Sequence, residues 1–426
     1  MFNSMLRSVV LCAFILAAIC SRATLAAEAS YQFDGHTKAR LIAQKFPANS
    51  IFDSLTGSRA LDIESDLRLN FQVDRGPWSG NVAYQLFVLY GDRIEYSRLS
   101  PPEFQLAFDR LPNDQRRLFD LTDVIRDEGK FAALQRLDRL WFGYSGEKTV
   151  LRIGRQAISW GNGLFFSPMD IVNPFDPTTI DTEYKAGDDM VYGQYLLSNG
   201  HDIQAAVVVR RNLQNGEIES DEGTASLKYH GIAADSEYDF LLAQSFGELV
   251  VGIGGNQSIG GAIWRGDLVL NDAASGTKAQ LVTNLSYSWL WHGRNMSGVI
   301  EYYFNGFGQS DGRYSLPDLA ANPELLQRLL RGEMFTLGRH YLAGGISIEM
   351  TPLWLLTPNL FVNLEDGSAF LQLVTQNNLG DNATFLGSLN IPMGPDGSEY
   401  GGIESGAEGQ FLSRDFAIFA QFARYF

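Results

Sequence analysis

Beyond residue 20 the chain contains no cysteine, because Cys12 and Cys20 are the only two. The main part of the protein therefore holds neither a disulfide framework nor a thiolate metal site. Histidine is sparse as well. His36, His201, His230, His292 and His340 are the whole set, and none sits in a His-Glu-x-x-His or Gly-x-Ser-x-Gly setting. The acidic pair Asp188-Asp189 lacks a ligand spacing specific to Ca²⁺. The expectation is a chain with no cofactor and no metal, and an enzyme is the weakest of the functional classes.

Long apolar runs are also missing. After residue 30 none approaches the ~20 residues that a membrane-spanning helix needs. One shorter run, residues 9–19, follows Arg7 and precedes Ala23-Thr24-Leu25-Ala26-Ala27. A basic start, an apolar segment of that length and small residues after it predict a signal peptide at 1–27, cut near Ala26 or Ala27. Ile19 stands before Cys20 where a lipoprotein would carry a small residue. Positive charge is in deficit too: 33 Lys and Arg face 49 Asp and Glu, a net charge of −16. Loss of Arg7 and Arg22 takes it to about −18, which argues against a nucleic-acid partner. No linker or change of composition divides the remainder, so 28–426 reads as one domain.

What the chain does have is a period of two. Across 61–74, Leu61, Ile63, Leu67, Leu69, Phe71 and Val73 share one face of an extended strand. Asp62, Glu64, Asp66, Arg68, Asn70 and Gln72 share the other. The same alternation recurs, as in Leu281, Leu285, Tyr287 and Trp289 against Gln280, Asn284, Ser286 and Ser288. About eighteen such strands can be placed. They start near residues 31, 60, 78, 131, 148, 188, 202, 223, 236, 248, 259, 279, 296, 341, 355, 369, 382 and 413. Loss of the weak hairpin at 236–256 would leave sixteen. Every second connection is short (74–77, 145–147, 254–258 and their kin), whereas the long ones, 46–57, 93–130, 161–187, 308–340 and 392–412, fall between. Short turns on one side and long loops on the other predict an all-β, transmembrane, antiparallel up-and-down β-barrel. Helices are expected after Asn322-Pro323, bearing Leu325, Leu326, Leu329 and Leu330 and ending at Gly332, and around Leu118, Leu121 and Ile125.

The cost of facing lipid with Lys or Arg, ~2–4 kcal/mol at mid-depth, fixes which side is inward. The inward set then comprises Lys38, Arg40, Asp62, Glu64, Asp66, Arg68, Arg136, Asp138, Arg152, Arg210, Arg265, Asp267 and Glu301. Arg155 joins it only if Gly154 marks a bulge, because Arg152 and Arg155 cannot share a face of a regular strand. These charges either sort solutes across the lumen or pair with one another. The segment after Gly161 is rich in Gly, Pro and Phe. It forms either an inward constriction, with Phe165, Phe166, Asp170 and Asp176 as its candidates, or an external cap.

The stretch Gly154-Arg155-Gln156, Trp160-Gly161 and Asn173-Pro174-Phe175-Asp176-Pro177 resembles a group of uncharacterised proteobacterial outer-membrane proteins. A more distant similarity is to alginate-export barrels. The end of the chain, with Phe416, Ile418, Ala420, Phe422 and Phe426 in register, resembles the terminal signal of outer-membrane barrels, although Arg424 departs from it. The resemblance implies a porin-like channel of the Gram-negative outer membrane that passes a polar solute. It also implies lipid and lipopolysaccharide as surroundings, and the barrel assembly machinery as a partner through Phe426. The alternative is the outer-membrane component of an export system, or a surface receptor, working with partner proteins.

Overall fold

The computed structural model describes residues 29–99 and 111–426, so the expected signal peptide lies outside the described residues. Eighteen antiparallel strands form the wall. They are β1 (Ser30–Lys45), β2 (Arg59–Arg75), β3 (Trp78–Gly91), β4 (Phe131–Ser145), β5 (Thr149–Gln156) and β6 (Asp188–Leu196). Then come β7 (Asp202–Val208), β8 (Thr224–Ala233), β9 (Ser236–Ser245), β10 (Glu248–Ile259), β11 (Ala262–Ala273) and β12 (Gly276–Trp291). The last six are β13 (Arg294–Asn305), β14 (His340–Thr351), β15 (Trp354–Asn363), β16 (Ala369–Gly380), β17 (Ala383–Met393) and β18 (Phe416–Tyr425). Each strand pairs with its sequence neighbour, and β18 also pairs with β1, from His36↔Tyr425 to Lys45↔Phe416. The sheet is therefore closed, which leaves no edge of unpaired backbone groups in lipid.

The two-residue pattern sets the register. Leu61, Ile63 and Phe71 of β2 are exposed on the outside, as are Phe33 of β1, Ile153 of β5 and Ile300 of β13. On the opposite face of β2, Asp62, Asp66 and Arg68 are buried. Aromatic rings gather at the short-turn end, where Trp78 stacks on Phe142 at 5.2 Å and Tyr287 on Trp289 at 6.2 Å. Such a girdle belongs at a membrane interface. The turn between β10 and β11 is Gly260-Gly261, not 254–258 as expected, because β10 runs on to Ile259.

Among the described residues four short α-helices sit on the long-loop side: α1 (Ile51–Thr56), α2 (Asp92–Leu99), α3 (Leu316–Ala320) and α4 (Pro323–Arg331). The α4 helix has the expected ends, since Asn322 accepts from Leu325 N–H and Gly332 closes it in the left-handed region. Its Leu325 packs with Ala273, Phe307, Leu319 and Met334 over the barrel mouth. The helix expected around Leu118 to Ile125 is not formed. Residues Thr122–Glu128 are instead a strand, hydrogen-bonded to the upper half of β4. The cause is a mismatch of length: β4 has 15 residues and β5 only 8, so β5 leaves the top of β4 unpaired and the loop supplies the missing partner.

Candidate pore constriction

The shortness of β5 and β6 decides what happens inside. Both strands stop well below the rim, and the 157–187 segment between them turns inward and crosses the lumen instead of capping it. It is tied to the wall on several sides. On β13 the Glu301 carboxylate accepts the backbone N–H groups of Leu164, Phe165 and Phe166 at 2.6, 2.9 and 2.7 Å, and Asn284 of β12 donates to it at 3.0 Å. Asp267 of β11 accepts from Asn162 N–H at 2.7 Å and from its side-chain amide at 2.7 Å. Charged acceptors take such bonds at roughly twice the strength of neutral ones. On the other side Lys38 of β1 lies 2.7 Å from both Asp181 and Glu183, and Arg40 reaches Asp181 at 3.2 Å. Tyr184 lies under the Arg68 guanidinium of β2, 4.0 Å from its ring centre.

The segment also packs. Trp160, Met169 and Val172 sit against Met190, Tyr192, Leu241 and Val269 on the inner wall, with no exposure at Met169 or Val269. Phe166 stacks on Tyr303 at 4.7 Å, and Phe165 meets Phe361 edge-on at 5.2 Å. Within the segment, Lys185 clasps Asp170, with 2.7 and 2.6 Å to its two oxygens. A loop held by paired charges, backbone acceptors and dry aromatic contacts is a rigid partition.

The remaining candidates fall into three settings. Asp138 is ringed by Arg68 at 2.9 Å, Arg136 at 3.4 Å and Arg139 at 2.6 Å, while Arg40 links Glu64 and Asp66. Asp62 accepts the Arg93 N–H at the external end of β2. Arg152 lies over the Trp141 ring at 4.9 Å, and Arg265 donates to Ser286 at 2.9 Å. Arg155 and Arg210 belong to the wall and its loops. Arg155 is 1% exposed and bonds Asp114 at 2.8 Å and Asp189 at 2.9 Å, whereas Arg210 bonds Asp188. The bulge expected at Gly154 is not there: β4 and β5 pair without interruption, and the break in register lies between β3 and β4, at Ala83 and Tyr84 opposite Asp138. Gly154 has another role. At φ 122° its missing Cβ leaves room for the carbonyl of Leu140, 2.2 Å from where that atom would be.

Two cavities flank the partition. One of about 560 Å³ opens beneath the external loops, and another of about 480 Å³ lies deeper, beside Asn359 and Gln372. Asp176 and Pro177 line both. Beside them Gln372 of β16 donates to the Thr178 carbonyl at 2.8 Å, and Asp176 accepts from Thr178 N–H at 2.7 Å. Sequence reasoning named Asp176 but missed Gln372, which nothing distinguishes from other inward amides.

One further pattern, Gly308-Gln309-Ser310-Asp311-Gly312, matches the serine-hydrolase spacing. It lies in a loop and not on a strand-to-helix turn, and His340 nearby in sequence has Tyr302 at 2.6 Å and Glu365 at 3.7 Å as partners of its two nitrogens. Among the described residues no cluster of three His, Cys, Asp or Glu is placed to hold a metal.

No known family matches the chain, and no curated protein is similar to it. Solved structures do share its fold. Acinetobacter baumannii OccAB3 has a TM-score of 0.54 at 8% identity, covering 93% of this chain and 99% of its own. Pseudomonas aeruginosa OccK5 (OpdH) has 0.53 at 9% identity, covering 93% and 98%.

Proposed function

We propose that this closed barrel is a narrow, solute-selective diffusion channel of the Gram-negative outer membrane, delivered there by the secretory leader at 1–27. The carrying observation is the 157–187 segment, pinned at Glu301 and at Lys38 with a cavity on each side of it. A wall of paired charges around a fixed partition selects by size and chemistry, and needs neither cofactor nor energy source. Assembly by the outer-membrane machinery belongs to the same proposal and is suggested by the apolar face that ends in Phe426. The Phe426 backbone exchanges hydrogen bonds with Gly35 at 3.0 and 3.1 Å, sealing the last strand to the first.

The test is a planar-bilayer recording of the purified barrel. Discrete steps of small unit conductance are expected, and Arg152→Glu should shift the reversal potential towards cation preference. A barrel that inserts and stays silent would overturn the reading.

A further inference from the structure

The external cavity differs in character from the charged wall below it. On the inner wall it is bordered by Ile42 of β1, Phe370 of β16 and Phe419 of β18. The loops above add Leu329, Phe335 and Tyr400, and the partition below adds Phe166 and Ile180. Several of these apolar groups are not packed away. Phe335 is 36% exposed, and Ile42, Ile180, Phe370, Tyr400 and Phe419 are all half-buried. Ring contacts continue round the chamber, with Phe370 stacked on Tyr400 at 5.8 Å. Apolar surface kept wet inside an enclosed chamber costs stability, and concave, mostly apolar chambers with a few polar groups are the usual form of small-molecule sites. Here the polar groups are Gln44, Thr178, Thr336 and Asn390, and the charged ones are Asp176, Glu399 and Arg414. The Glu399 carboxylate is taken up by Leu337 N–H and Asn363, so Asp176 and Arg414 leave opposite signs at the chamber and no preference for an ionic solute, whereas the amides and hydroxyls suit a hydroxyl or amide end.

We infer that this chamber binds an aromatic solute with a small polar end before it passes Asp176, and that the channel's preferred cargo is of this class. The inference rests on the channel reading above. A volume of about 560 Å³ holds one or two fused rings with water to spare. The rings lining the chamber hold a planar guest by offset stacking or edge contacts.

The experiment is current blockade in the same bilayers. 1-Naphthol, added to either chamber, should produce discrete interruptions of the open current, and sorbitol none. Phe335→Ser, a change at a half-exposed loop residue, should shorten each interruption about tenfold relative to that variant's own open current, the loss of one good ring contact. Phe335→Tyr keeps the ring and should restore the duration. Interruptions that sorbitol matches, or that survive Phe335→Ser unchanged, would overturn the aromatic assignment. Absence of any current would overturn the channel reading itself.

Discussion

At the scale of single residues, the inward charges act first as carpentry. Glu301 has no exposure, and its charge is spent on three loop N–H groups. Glu301→Gln replaces one acceptor oxygen with a donor that faces other donors, so the Leu164–Phe166 end should come loose. Bilayer recordings should then show a severalfold larger, noisier conductance. Glu399, in the external loop between β17 and β18, is the second informative residue. It borders the outer cavity, yet its carboxyl is enclosed: Leu337 N–H donates to it at 3.0 Å, Asn363 at 2.7 Å, and the Tyr341 hydroxyl also donates. Burial pushes that carboxyl up to about 7 from the ordinary 4.5, against the opposing hydrogen bonds. The raised value means that the docked loop favours the protonated form. The latch is therefore firmest below about pH 4.5 and weakens as pH rises to about 7. Hydrogen exchange of the 394–415 loop should quicken over that window, and Glu399→Gln should flatten the dependence. The sequence showed that Glu301 points inward and carries charge. It did not show that the charge is neutralised by backbone 135 to 137 positions away, because such pairing leaves no local trace.

At the scale of elements, the strands were legible and their lengths decided the rest. All eighteen starts fall within three residues of the periodicity reading, since a two-residue alternation between lipid and lumen persists along each strand. The α4 helix was legible from Asn322, Pro323 and Gly332. The stretch after Leu118 was not legible, because its apolar spacing fits a helix while the unpaired top of β4 demands a strand. Whether the 157–187 segment turned inward was equally hidden, for it follows from how soon β5 stops. Gly154 lies two residues before that stop, packed against the Leu140 carbonyl. Gly154→Ala should cost about 1–3 kcal/mol through strain at its positive φ and the clash with that carbonyl. The drop should appear in urea unfolding of the lipid-embedded protein.

At the scale of the whole molecule, the outer surface is a solvent boundary of its own. Phe240 is 46% exposed midway along β9, where its neighbours Leu242 and Leu227 also face out. Phe240→Arg should lower unfolding free energy in phospholipid vesicles by about 2–4 kcal/mol. An equally exposed loop position, such as Ile218, should tolerate the same change with little loss.

The partition is spliced to distant stations of the chain: residue 181 to residue 38, and residue 164 to residue 301. The first joins positions 143 apart in sequence and the second positions 137 apart, and contacts this remote are slow to form. Without those two ties the ring would enclose a single undivided passage, so the width of the lumen is set by the crossbar and not by the number of staves.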